Sequence, residues 1–273
     1  MPEGPEIRLA ADKIAKAVVE KPVEEMFFAF DHLKQFEALF LGDTILRIET
    51  YGKAMLTRFA NGWNIYSHNQ LYGKWQVVKR GNVPQTNRQL RLAIHVADKS
   101  ALLYSASDIE VLPDTEVASH PFISRIGPDL LSPEMTLERV RAQFTDKRFF
   151  RRGLLSLLLD QKFLAGVGNY LRSEILFVAG VHPSMRPKDC SEEQLDKLAE
   201  AALNLTRQSY KTKGITNDLE RVKQLKSAGF TRREYRHHVF VRHGLTCYDC
   251  EDTIIKEISG GRKYCYCPTC QPR

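Results

Sequence analysis

Apolar residues recur at helical spacing over positions 7–20, where Ile7, Ala10, Ala11, Ile14, Ala17 and Val18 share one face, so the chain is predicted to open with a helix. Pro5 suits the first turn, because its missing N–H would find no intrahelical partner there. Glu6 suits the positive end of the helix dipole. From about 22 to 112 the texture changes. Runs of β-branched and aromatic residues (VEEMFFAF, TILRIETYG, AMLTRFANGWNIYSH, KWQVVKRGN, QLRLAIHVADKSALLYSA) alternate with the turn signals NG, RGN and ADKS. That rhythm predicts an antiparallel sandwich or barrel.

The segment HPFISRIGPDLLSP, with two prolines beyond its opening residues and a glycine, reads as a linker. Beyond it the helical period returns. SPEMTLERVRAQF predicts a helix with Ser132 as N-cap and Pro133 in the first turn. RRGLLSLLLDQKFLAGVGNYLRSEILFVAG predicts two helices broken at Gly166, Gly168 and Asn169. Ser191 and Gln194 have the spacing of a capping box ahead of a long helix. GITNDLERVKQLKSAGFTRREYRHH is basic and poorly periodic, and no element is assigned to it.

Composition then narrows the class. The chain has 273 residues, enough for one large or two medium domains, and 43% apolar residues supply an ordinary core. No apolar run is long enough to span a bilayer, and the start is acidic where a secretory signal would be basic. A soluble cytoplasmic protein is expected. Net charge is +7, divided as −1 over residues 1–120 and +8 over residues 121–273. An excess confined to the second half fits a polyanionic partner such as nucleic acid, or a solvated basic face.

Four of the six cysteines form two C-x-x-C pairs, Cys247 with Cys250 and Cys267 with Cys270, with sixteen residues between the pairs. That spacing marks a four-thiolate Zn²⁺ site. The intervening residues read as a β-hairpin turning at Gly-Gly, with Arg262 and Lys263 just past the tip. A guanidinium there can pair with a phosphate, although most such zinc sites only staple small modules. Cys265 falls outside the ligand pattern, and Cys190 reads as an ordinary thiol.

Two further places carry chemistry. The LAGVGNYL turn leaves free N–H groups at a helix start near Asn169, with Lys162 and Arg172 close in sequence. It reads either as a phosphate site or as a tight helix connection without a ligand. At the N-terminus, removal of Met1 ahead of the small Pro2 would free a secondary amine. Such an amine adds to an aldehyde carbon to give an iminium with no N–H to lose, an electron sink suited to elimination. An α-amine titrates at roughly 8, so a neutral fraction exists near pH 7. Glu3, next along the chain, can move a proton.

Together PEGPEI, YGKAMLT, LYSHNQLYG, LLLDQKFLAGVGNYLRSEIL and the C-x-x-C…R…C-P-x-C ending resemble the formamidopyrimidine-DNA glycosylase family, in its oxidised-pyrimidine branch, in order along nearly the whole chain. The resemblance implies an α+β multidomain fold. A catalytic β-sandwich domain with flanking helices would span 1–124, a hinge 125–132, a helix–two-turn–helix domain 133–235 and a zinc hairpin 236–273. It implies Pro2 as the nucleophile at C1′, Glu3 as acid/base and Glu6 as a supporting carboxylate. Lys53 would contact phosphate, where residue type alone suggests a solvated lysine at a strand start. Asn169 and Arg262 would grip phosphates, with Lys162 and Arg172 as further DNA contacts. Gln70, Leu71 and Tyr72 would form the wedge that fills the gap left by an extruded base, where composition alone reads Leu71 and Tyr72 as core or strand. The implied substrate is double-stranded DNA with oxidised pyrimidines or abasic sites, cut by β,δ-elimination, and a monomer is expected. Residues 214–238 do not match clearly, and the purine branch has its lesion-sensing loop there. The rival readings are the same chemistry on oxidised purines and a zinc-containing DNA binder without catalysis.

Overall fold

The computed structural model describes residues 2–273, so Met1, whose removal the N-terminal chemistry requires, lies outside the described residues. The chain divides into two compact units. Pro2 and Glu6–Arg125 form one, Glu3–Pro5 and Ile126–Arg273 the other.

In the first unit, helix α1 (Gly4–Val18) precedes eight strands: β1 (Glu25–Phe28), β2 (Ile45–Tyr51), β3 (Ala54–Phe59), β4 (Trp63–His68), β5 (Lys74–Lys79), β6 (Leu90–His95), β7 (Lys99–Tyr104) and β8 (Asp108–Pro113). They form two antiparallel sheets of order β1-β6-β7-β5 and β2-β3-β4-β8, the sandwich its strand rhythm predicts. One face of each sheet meets in a common core: Phe28, Leu92 and Leu103 from one, Ile45, Met55, Phe59 and Ile65 from the other, with Ile7, Ile14 and Val18 of α1. The second sheet is also covered outside, where Ala54, Leu56, Tyr66 and Leu112 pack with Val117. A strand buried on both faces loses the alternation of apolar and polar positions, which is why AMLTRF reads as a near-continuous apolar run. The first helix starts at Gly4, three residues before its predicted start, with Pro5 as its second residue.

The second unit is helical, with α2 (Leu137–Thr145), α3 (Asn169–Val178), α4 (Glu192–Lys211) and α5 (Leu219–Ser227), followed by the hairpin β9 (Ile255–Ser259) and β10 (Arg262–Tyr266). Val140, Phe144, Leu157, Phe163, Leu171, Ile175, Leu198 and Ala202 make one core. The capping box of Ser191 and Gln194 is present. Three expectations need correction. Ser132 does not cap a helix: α2 starts five residues later, behind Thr136, whose hydroxyl accepts from Arg139 N–H at 3.3 Å. Ser132 instead closes a turn, its carbonyl accepting from Met135 N–H. The first of the two helices around LAGVGN is a single turn, Leu154–Leu157. The unassigned basic stretch contains α5, capped by Asp218, and a further turn, Arg232–Tyr235. Only Val222 of α5 is buried, so no helical stripe shows in its sequence.

Val241 lies in the left-handed region, at φ 59°. A β-branched residue there is strained by about 1–3 kcal/mol. Its side chain is exposed, while its neighbour Arg242 is buried and donates to the His238 and Thr246 carbonyls. Val241→Gly is expected to raise stability by about 1 kcal/mol, the strain relieved less the extra backbone entropy of glycine. An unchanged or lower thermal midpoint would show that the backbone relaxes around valine.

Candidate active site and nucleic-acid interface

The N-terminus of α3 answers what the glycine-rich turn is for. The Glu3 carboxylate, buried, accepts from Gly168 N–H at 2.7 Å, Tyr170 N–H at 2.7 Å and Leu171 N–H at 3.3 Å. The anion at this helix start is therefore supplied by the chain itself, and neither sequence alternative, phosphate or empty connection, describes it. Glycine is needed for close approach. A Cβ on Gly168 would lie 2.4 Å from the Glu3 carboxyl carbon, and one on Gly4 would lie 2.8 Å from Gly166 Cα. Gly4 N–H also donates to the Gly166 carbonyl at 2.8 Å. Residues 3 and 4 are thus fixed, and Pro2, half-buried, is joined directly to them.

The same helix start reaches the hairpin. Asn169 donates its amide to the Lys263 carbonyl at 2.7 Å. Arg172, 1% exposed, donates to the Leu155 carbonyl at 3.1 Å and to the Arg262 and Lys263 carbonyls at 3.4 Å. Burial, aided by the nearby Arg262 charge, pulls the Arg172 guanidinium down to about 10. Arg172 is not an exposed DNA contact, which corrects the expectation: it holds the backbone of the hairpin tip while the side chains of Arg262 and Lys263 remain exposed. Lys162 is exposed, as a phosphate contact requires.

In the first unit, Lys53 is the second residue of the two-residue turn between β2 and β3, after Gly52 at φ 59°. Lys53 is buried, which overturns its reading as a solvated strand-start lysine. Glu6, in the first turn of α1, is half-buried. Gln70, Leu71 and Tyr72 stand on the loop between β4 and β5, closed at its base by Gly73 N–H donating to the Asn69 carbonyl at 2.7 Å. Leu71 is 50% and Tyr72 67% exposed, so neither is core or strand. Two large side chains are thus offered to water on one tight loop.

The sulfurs of Cys247, Cys250, Cys267 and Cys270 lie within 4.8 Å of one another. The Cys247–Cys270 and Cys250–Cys267 sulfurs are 3.8 and 3.3 Å apart. Four thiolates around one Zn²⁺ at ~2.3 Å stand about 3.8 Å apart, so the cluster fits a tetrahedral metal site. Cys265 is not one of the four: it is buried, packs beside them, and donates its N–H to Ser173 Oγ at 3.3 Å.

Sequence reasoning missed the buried centre of the second unit. Glu174 of α3, 0% exposed, accepts from Thr216 Oγ at 2.6 Å and from the N–H groups of His238, Val239 and Phe240 at 2.7–2.9 Å. Thr216 gives its one proton to Glu174, so its oxygen accepts from His237 Nδ1 at 2.8 Å. Burial drops His237 to about 4, leaving it neutral. Below its unfolded value of roughly 6.5 the unfolded chain binds this proton and the folded chain does not. Its contribution is therefore complete above pH 6.5 and lost as pH falls towards 4. His237→Gln is expected to flatten that acid limb in melts followed by circular dichroism at 222 nm. An unaltered slope would assign the limb to other groups.

Comparison with known proteins places these features. Residues 1–107 match the formamidopyrimidine-DNA glycosylase N-terminal domain and residues 126–220 match the formamidopyrimidine-DNA glycosylase H2TH domain. The chain is 46% identical to Endonuclease 8 of Salmonella paratyphi B, over 99% of this chain and 100% of that protein, and equally to that of Salmonella enteritidis. Among solved structures it resembles Lactococcus lactis Fpg (MutM) bound to a DNA containing N7-benzyl-Fapy-dG, with a TM-score of 0.82, 21% identity and complete coverage of both chains. At that identity the likeness speaks for the fold alone.

Proposed function

The chain belongs to the formamidopyrimidine-DNA glycosylase family, and from that premise we infer how its residues work. It is a DNA glycosylase with AP lyase activity, an enzyme of base excision repair. Oxidised pyrimidines are its substrates, a reading supported by full-length similarity to proteins named Endonuclease 8. The observation that carries the mechanism is the seating of Glu3 on the N-terminus of α3, which fixes the residue bonded to Pro2.

With Met1 removed, the Pro2 nitrogen attacks C1′ of the damaged nucleotide and the base departs with its bonding electrons and a proton. The sugar ring opens, giving an iminium at C1′. That cation acidifies the C2′ proton, and its removal expels the 3′ phosphate. A second elimination expels the 5′ phosphate, leaving a one-nucleotide gap with phosphate at both ends. Glu3 moves protons at the sugar, and Glu6 supports the same N-terminal turn. A target base must leave the stack first, at a cost of a few kcal/mol. The wedge of Gln70, Leu71 and Tyr72 fills the hole, while Lys53, Asn169, Lys162 and Arg262 hold phosphates. Arg172 acts through the hairpin backbone.

Zn²⁺ on Cys247, Cys250, Cys267 and Cys270 is structural: it ties the base of the hairpin that presents Arg262. Removing it with a strong chelator is expected to raise amide exchange across 255–266 and weaken DNA binding at least tenfold. An unaffected hairpin would make the metal dispensable. No helix among the described residues is long and apolar enough to cross a membrane, and cysteines outside any disulfide suit a reducing cytoplasm. The enzyme acts there, as a monomer.

Borohydride trapping on a duplex carrying one thymine glycol, with mass mapping of the cross-linked peptide, tests the reading. An adduct at Pro2 is expected. Trapping only on an abasic duplex would keep the mechanism and remove the lesion class. No adduct on either, from protein shown to lack Met1, would overturn the enzymatic reading. A panel of oxidised-purine duplexes separates the two branches.

A further inference from the structure

Gln70 is a left-handed residue at the edge of the wedge loop, with φ 48°. A non-glycine residue stays in that region only where its surroundings insist on it. Two side chains do so. His68, the last residue of β4, accepts from Gln70 N–H through Nδ1 at 3.1 Å. Ser107, on the loop between β7 and β8, donates its hydroxyl to Gln70 Oε1 at 2.7 Å. Ser105, two residues before Ser107, is also left-handed, at φ 54°. The two loops meet at the Ser107–Gln70 bond. Burial holds the His68 ring below its usual range against the pull of Asp108, which keeps Nδ1 free to accept.

The chemical consequence lies in the amide. A free glutamine side chain can turn its oxygen or its nitrogen outwards and so meet either an acceptor or a donor. With Oε1 accepting from Ser107 the amide is held in one orientation: one lone pair of Oε1 is taken and turned towards Ser107, and the NH₂, which only donates, faces away from it towards a partner. We propose that Ser107 is a specificity-determining positioning residue: it fixes the Gln70 amide so that the wedge offers a donor to the base left unpaired opposite the lesion. Thymine and guanine present carbonyl oxygens where adenine and cytosine present amino groups. At that major-groove position, where guanine O6 and thymine O4 accept and the adenine and cytosine amino groups cannot, guanine and thymine are thereby favoured. The inference rests on the wedge reading given above for Gln70. Ser107 is exposed, so its substitution does not disturb the core.

The experiment measures single-turnover strand cleavage on four duplexes that carry the same abasic site and differ only in the base opposite. The wild-type protein is expected to cut opposite G and T at least fivefold faster than opposite A and C. Ser107→Ala should compress that ratio at least threefold, and Ser107→Thr, which keeps the hydroxyl, should restore it. In a Gln70→Leu background Ser107→Ala should change nothing further. Wild-type rates agreeing within twofold would overturn the proposal. So would a ratio that Ser107→Ala leaves intact while Gln70→Leu flattens it, and the wedge reading would then survive. A ratio indifferent to Gln70→Leu removes the wedge reading, and this inference with it.

Discussion

Protein that keeps Met1, or carries one extra residue ahead of Pro2, should lose strand cleavage at abasic sites by at least about 10³-fold, the scale seen when a covalent nucleophile is removed. Its affinity for an abasic duplex should stay within a few-fold of the wild type. An acylated nitrogen has its lone pair delocalised into the carbonyl and cannot add to C1′, while the rest of the surface is untouched. The seating of Glu3 explains why so small an addition suffices. Glu3 and Gly4 are held through the N–H groups of Gly168 and Tyr170 and through the Gly166 carbonyl, so the terminus cannot shift along to offer another amine. Glu3→Gln is a poorer probe of the same chemistry. Its NH₂ would face one of the N–H donors that the carboxylate now satisfies, so lost activity would mix proton transfer with a disturbed helix start. Cleavage above a tenth of the wild-type rate from protein with an intact Met1 would remove Pro2 from the nucleophile's place.

How much of this was legible before the structure differs by kind of contact. Strands announced themselves because β-branched residues between turn signals reflect local preference. The cluster of four cysteines was legible because metal-ligating residues come with fixed spacing. Glu3 was legible as chemistry but not as structure. Its partners lie more than 160 residues away, and backbone N–H donors leave no mark in a side-chain sequence. The same blindness made Arg172 look like a surface cation, since its acceptors are carbonyls of residues 155, 262 and 263. Leu71 and Tyr72 misled in the opposite sense. Exposed apolar residues on a loop have the composition of core, and only the short circuit from Asn69 to Gly73 shows that they point outwards.

Glu174→Ala should cost the second unit about 3–5 kcal/mol, the range for removing one partner from a buried charged network. The carboxylate accepts from the N–H groups of half-buried His238 and buried Val239, and alanine would take that acceptor away from both. Burial alone would raise the Glu174 carboxyl, but the charge that His237 and His238 take up once acid protonates them, the Thr216 hydroxyl and the Phe240 N–H more than offset it and hold it below its usual range. It therefore stays an anion at neutral pH, and its contribution disappears as pH falls through that lowered value. Glu174→Gln should cost less than alanine. One amide oxygen can still serve Val239 and Phe240, and Thr216 can turn its hydroxyl to accept from the new NH₂, which leaves His238 N–H the group without an acceptor. The two tryptophans, Trp63 and Trp75, both lie in the first unit. Their fluorescence follows that unit, while helical circular dichroism is weighted to the second. In a denaturant titration the alanine variant should lower the dichroism midpoint with the fluorescence midpoint nearly unmoved. DNA affinity should fall with it, because residues 238–240 are the approach to Cys247 and the hairpin that follows. A loss below about 1 kcal/mol would mean that water enters to satisfy those groups. The tie between α3 and the four-cysteine module would then have to be sought elsewhere, first in the buried Gln271, which accepts from Cys267 N–H and donates to the Val181 carbonyl.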